Sequence, residues 1–127
     1  MLGGPVTGRE RLLDLADICK TYRARRGLLG RKRPFVALND VSLAVHRREV
    51  VGLVGESGCG KSTLAQVAIR LLDVNAGSIG WKGNNVTRAR GGALHDFRRG
   101  VQMVFQDTGS SLNPRKTVRR HLFEALA

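Results

Sequence analysis

Two rhythms of apolar and polar residues divide this chain. Between Arg11 and Lys20 the apolar positions Leu13, Leu15, Ala16 and Ile18 sit among charged ones, a strand-like setting. From Val36 to Val45 the alternation is cleaner, and Val41, Leu43 and Val45 would share one face of a strand. Glu49 to Val54 is different: Val50, Val51, Leu53 and Val54 are broken only by Gly52, which predicts a short strand covered on both faces, as in a parallel sheet. A helical pattern follows from Lys61 to Leu72. Asp73 to Gly77 predicts a turn, Ser78 to Gly83 a short strand carrying Trp81, and Ala93 to Arg99 one or two helical turns after the polar loop Asn84 to Gly92. Val101 to Phe105 is again strand-like. After a loop, Thr117 is placed to cap a last helix with Leu122, Phe123 and Leu126 on its apolar face.

Between the predicted strand and helix lies Gly55-Glu56-Ser57-Gly58-Cys59-Gly60-Lys61-Ser62-Thr63, which fits G-x-x-x-x-G-K-[ST] without a mismatch. The pattern has a physical purpose. Glycines let the loop curl with backbone N–H groups pointing inward, and the helix that follows adds the positive end of its dipole. Lys61 supplies an ammonium for the terminal phosphates of a nucleotide, and the Ser62 hydroxyl can ligate Mg²⁺. The strand-loop-helix context weighs strongly against a plain glycine-rich turn.

Composition narrows the class. The 127 residues suit one domain with a modest core, and 42% hydrophobic against 25% charged residues reads as globular. No apolar run approaches the roughly 20 residues that cross a bilayer. Met1 to Arg11 carries no uninterrupted apolar segment, so no signal peptide is expected, and Met1 to Gly8 is expected to fray. Cys19 and Cys59 have no pairing or metal-ligand spacing, which suits a reducing compartment. The formal charge of +12 gathers at Arg23 to Arg33, Arg88 to Arg99 and Arg115 to Arg120. An anionic membrane or nucleic acid would explain it. Aromatics at 5%, few of them among the arginines, favour solvated basic loops instead.

Several stretches together resemble one family, the ATP-binding subunits of ABC transporters. They are the phosphate loop, Tyr22 ahead of Ala37-Leu38-Asn39-Asp40-Val41-Ser42-Leu43, and Val104-Phe105-Gln106. With Gln102 to Asp107 and Ser111-Leu112-Asn113-Pro114-Arg115, the chain is most similar to the oligopeptide and dipeptide importers. Nickel, glutathione and phosphonate-related subunits are close alternatives. A nucleic-acid-associated P-loop ATPase is a reading of another class, supported only by the charge.

The resemblance implies an α/β P-loop NTPase of ABC type. An antiparallel β part at 1–48, with a basic loop at 23–34, would precede a parallel P-loop core at 49–105. Residues 106–127 would hold the Q-loop and the start of a helical part. By resemblance, Tyr22 stacks on adenine, residues 55–63 hold the phosphates of ATP, and Gln106 joins Ser62 at Mg²⁺ and the attacking water. The implied partners are two transmembrane permease subunits, a second ATP-binding subunit and, indirectly, a solute-binding protein. The implied location is the cytoplasmic face of the bacterial inner membrane.

Two departures stand out. Arg48 precedes Glu49 where the family usually has glycine, and Thr108 follows Asp107 where it usually has proline. No Leu-Ser-Gly-Gly-Gln signature, no second acidic strand ending in Asp-Glu and no switch histidine is present. The helix is still running at Ala127, so the sequence reads as truncated, and the 127 residues alone are expected to be poor at hydrolysis and loosely packed.

Overall fold

The computed structural model describes residues 9–25, 32–106 and 113–126. Strands β1 (Arg11–Arg25), β2 (Lys32–His46), β3 (Ala76–Trp81) and β4 (Asn84–Asn85) form a sheet in the order β2-β1-β3-β4. Every pairing is antiparallel. Helix α1 (Lys61–Ala68) follows the phosphate loop, α2 (Gly91–Gly100) follows β4, and α3 (Val118–Leu126) comes last. The strands run further than the apolar pattern predicts. Backbone pairing continues to Arg25 opposite Lys32, so the expected basic loop at 23–34 narrows to residues 26–31, which lie outside the described set.

β1 is the central strand, with Leu15 opposite Leu43 on one side and Ile79 on the other. Simple alternation would send Leu15 and Ile18 to opposite faces. Both are buried in the same core. A register shift between them resolves this. Asp17 takes a left-handed backbone (φ 53°), its N–H donates to the Ser42 hydroxyl at 3.0 Å, and the kink turns Ile18 inward. The core closes with Leu38 of β2, Leu64 and Val67 of α1, Val86, and Phe97 of α2. Trp81 packs edge-on against Phe97, ring centroids 5.7 Å apart. Gly100 makes room for that ring, because a Cβ there would lie 2.3 Å from it.

The two stretches read as parallel core strands take part in no backbone ladder among the described residues. Val50 is 99% exposed, Val54 92% and Val104 89%. The reason is physical: a strand apolar on both faces is stabilised by parallel neighbours on either side, and the sheet formed by β1 to β4 is antiparallel. The Asn84–Asn85 segment, expected as loop, pairs with the end of β3 instead. Helix α3 starts as predicted, the Arg120 N–H donating to the Thr117 hydroxyl at 3.4 Å, but its Leu122 and Phe123 are exposed.

The turn out of β2 explains one departure. Arg48 has φ 59°, a conformation that costs a side-chain-bearing residue roughly 1–2 kcal/mol and glycine almost nothing. Replacing Arg48 by glycine is expected to raise stability by about 1 kcal/mol in chemical denaturation. The same turn is tied by Glu49, whose carboxylate accepts the His46 backbone N–H at 2.6 Å, with the His46 ring Nδ1 2.9 Å away. The backbone bond foremost, and the ring second, hold the Glu49 carboxyl below its usual pKa. A depressed folded-state pKa gives stability that is complete above the unfolded value and lost as pH falls through the folded one. Glu49→Gln is therefore expected to flatten the stability profile below about pH 4.5 while changing it least in slope at neutral pH, as read by denaturation midpoints across pH.

Candidate phosphate-binding site

The loop rests on β2. Gly60 caps α1 with φ 101°, and a Cβ there would lie 2.6 Å from the Ala37 carbonyl oxygen and 3.1 Å from Leu38. Only glycine combines that backbone with that approach. Leu38 and Leu64 are both buried, so the start of α1 and the middle of β2 are pinned together. Before the cap, the loop turns at Ser57 and Gly58, and the Cys59 N–H donates to Glu56 O at 3.3 Å.

Helix α1 opens against ordinary preference. Its first turn contains no acidic residue and begins with a lysine, a cation at the positive end of the dipole. The N–H groups of Lys61, Ser62 and Thr63 have no acceptor within the helix. Lys61 folds back over the loop: its ammonium donates to Gly55 O at 2.7 Å and Glu56 O at 2.6 Å, and lies 3.5 Å from Cys59 Sγ. Donors and positive charge thus converge with no anionic side chain among them. That arrangement suits an incoming anion rather than helix stability.

A cavity of about 230 Å³ sits at this point, lined by Phe35, Ala37, Ser57, Gly58, Gly60, Lys61, Ser62 and Thr63. It is below the roughly 300–1,000 Å³ that holds a drug-sized ligand, so it suits a phosphate chain with the rest of a nucleotide outside. Ser62 is exposed on the lining, a hard oxygen donor of the kind Mg²⁺ takes together with phosphate oxygens and water. Gly55, Glu56 and Cys59 do not line the cavity; they hold the Lys61 side chain. Broader concavities lie elsewhere on the surface, none of them built on a phosphate loop.

The structure distributes the remaining candidates unevenly. Tyr22 is half-buried and does not line the cavity. It lies directly across the ladder from Phe35, which does. Opposed residues of an antiparallel pair share a face, so the two aromatics are neighbours. Phe35 is the site residue that no motif marks; an aromatic two positions before Ala37 is the one signal of it in the sequence. Lys20 Nζ stands 5.6 Å from the Tyr22 ring centre. Gln106 is exposed at the end of 101–105 and lines neither the cavity nor the loop. Asp107 to Leu112, including the start of the Ser-Leu-Asn-Pro-Arg stretch, lies outside the described residues. Among the described residues no cluster of three histidine, cysteine or acidic side chains could hold a metal by itself.

Comparison with known proteins gives the family. The family model described as ABC transporter matches residues 38–126. The nickel import ATP-binding protein NikE of Escherichia coli O6:K15:H31 (strain 536 / UPEC) is 44% identical over 115 residues, 91% of this chain and 42% of that protein. The protein of the same name from Shigella dysenteriae serotype 1 (strain Sd197) is also 44% identical over the same shares. The chain therefore spans less than half the length of these relatives. A solved structure of the ATP-binding cassette MJ0796 as a dimer, bound to ADP and Pi in a post-hydrolysis state, matches with TM-score 0.58 and 26% identity over 69% of this chain and 35% of that one. A nucleotide-free ATP-binding cassette matches in fold with TM-score 0.59 over 90% of this chain and 46% of that one. With the family model matching most of its length, the chain belongs to the ABC transporter family.

Proposed function

We propose that this chain is the nucleotide-binding portion of an ABC importer's ATP-binding subunit, taking Mg-ATP at Gly55 to Thr63. One observation carries the reading: the Lys61 ammonium, the open N–H groups of α1 and the Ser62 hydroxyl meet at one cavity with no competing carboxylate. When bound, Mg²⁺ would neutralise phosphate charge. The chain's own part is to seat the phosphates on the loop, exchange the Lys61 contacts to Gly55 and Glu56 for phosphate oxygens, and offer an aromatic wall to the base.

Import rather than export rests on the relatives, which are named for nickel import. Nickel is accordingly the favoured cargo. The peptide reading rests on the resemblance of Ser111 to Arg115 to peptide importers. In such an assembly the subunit would dock on two permease subunits beside a second ATP-binding subunit, at the cytoplasmic face of the membrane. No helix among the described residues is long and apolar enough to cross a bilayer itself, which is compatible with a peripheral position. Gln106 would act at Mg²⁺ and water, brought there by movement of the segment that carries it.

Mg-ATP is expected to bind the 127-residue chain in calorimetric titration, at least tenfold more weakly in Lys61→Ala. Steady-state phosphate release should stay at background in both, since no carboxylate stands at the cavity to orient water. Lysine-dependent turnover at ordinary enzyme rates would refute the second half of this proposal. Phe35→Ala and Tyr22→Ala test the aromatic wall. Each is expected to weaken ATP about fivefold, near 1 kcal/mol, and to leave inorganic tripolyphosphate unchanged. Equal losses for both ligands would mean that these rings only shape the loop.

A further inference from the structure

A second concavity, of about 410 Å³, opens behind α1 and shares no lining residue with the phosphate-loop cavity. Arg70, Asp73, Thr87, Arg88 and Arg90 are among its walls. Arg70 is buried, in a left-handed turn (φ 58°) just past α1. Its guanidinium donates to Val86 O at 3.0 Å and Ala89 O at 3.4 Å, and it is paired with Asp73. The Arg70 charge is thereby balanced. Arg88 and Arg90 are exposed and have no carboxylate within ion-pair distance among the described residues. Arg88 and Arg90 thus line one concavity with a single acid, Asp73, which is ion-paired with Arg70, while the Arg90 charge helps hold its carboxyl below its usual pKa.

The segment that carries them is held in place. Arg70 fixes the carbonyls on either side of Thr87 and Arg88. The Thr87 N–H donates to Asn85 Oδ1 at 2.9 Å, and its hydroxyl oxygen accepts the Ile79 N–H at 2.7 Å, leaving the O–H free to donate. Arg90 has an extended backbone where it caps α2. A segment whose backbone is fixed beforehand loses less on binding.

We propose that this concavity is a second anion site, selective for a phosphate monoester group gripped by Arg88 and Arg90. Such a group carries about −1.5 to −2 charge at pH 7, which matches the two guanidinium charges. Arginine's planar fork suits phosphate oxygens in paired hydrogen bonds. The volume exceeds what a bare ion needs and falls in the range of roughly 300–1,000 Å³ for small-molecule sites. A soluble phosphorylated metabolite and the headgroup of a phosphatidic-acid-like lipid share this chemistry.

The experiment uses the Lys61→Ala chain, so that the phosphate loop does not contribute. Glycerol 3-phosphate is titrated by calorimetry, and sedimentation is followed with phosphatidylcholine vesicles with and without phosphatidic acid. One-to-one binding of at least one probe is expected, reduced tenfold or more by Arg88→Gln with Arg90→Gln. Removing the same charge from α3, by Arg119→Gln with Arg120→Gln, is expected to leave it unchanged. Circular dichroism checks that both double variants keep the parent spectrum. Binding of glycerol 3-phosphate alone assigns a soluble ligand, and Arg88- and Arg90-dependent vesicle recruitment assigns a lipid one. Failure of both probes, or equal loss in the α3 control, overturns the proposal. Neither result bears on ATP at the phosphate loop.

Discussion

The contact on which the rest depends is between Gly60 and the middle of β2. It is a contact defined by a missing atom. A single Cβ at Gly60 would collide with the Ala37 carbonyl oxygen, lifting the helix start away from the sheet. Leu38 and Leu64, buried beside it, lock the seat once it is made. Two consequences follow. Phe35 and Ala37 become walls of the phosphate cavity, although they belong to a strand distant in sequence from the loop. The helix also receives a fixed direction, so that its free N–H groups and Lys61 face the same small volume.

The sheet and the loop are finished objects; the core strands are not. β1 to β4 pair along their lengths and bury Leu15, Ile18 and Ile79 almost completely. Val50, Val51, Leu53, Val54, Val104 and Phe105, apolar residues of the two unpaired stretches, are exposed. Burying apolar surface is worth about 25 cal/mol per Å², so such exposure is a standing drive to acquire neighbours. The phosphate loop hangs between a secured element and an unsecured one. Its helix side is anchored through Gly60 and Leu64. Among the described residues its strand side is held by the Glu49 turn and by Lys61 reaching back to Gly55 and Glu56.

What the sequence made legible was local. The phosphate loop and the helix after it are written in consecutive residues; the structure has both, the helix ending at Ala68 rather than Leu72, and in β2 it sets Val41 and Leu43 against the core but not Val45. The Thr117 cap is equally local. Strand-like apolar runs at Val50 and Val101 were also legible, but a run records what a segment needs, not whether its partners are there. The inward turn of Ile18 depends on Asp17 and Ser42 of another strand, so alternation alone misplaces it. Phe35 was invisible as a site residue because its role comes from cross-strand register and from the Gly60 seat. Arg48 was visible as an oddity, and only its backbone angle says why glycine is usual there.

The charges around α1 separate structure from function. A helix left to optimise its own stability puts acids in the first turn and bases in the last. α1 keeps a base and no acid at its start. Beyond its other end, Arg98 donates to the Arg70 carbonyl at 2.9 Å, and the buried Arg70 ties down Val86 and Ala89. Past the C-terminal end, where α1 itself has no base in its last turn, the Arg70 charge is matched by Asp73. The cationic N-terminal end opposes the dipole, and among the described residues its ammonium is held by neutral groups of the loop, the Gly55 and Glu56 carbonyls and Cys59 Sγ. A fold carries that local disadvantage where a polyanion is to complete the shell, because phosphate oxygens satisfy Lys61 and the open N–H groups together. The misfit at the start of α1 is thus the clearest physical mark of what the loop is for.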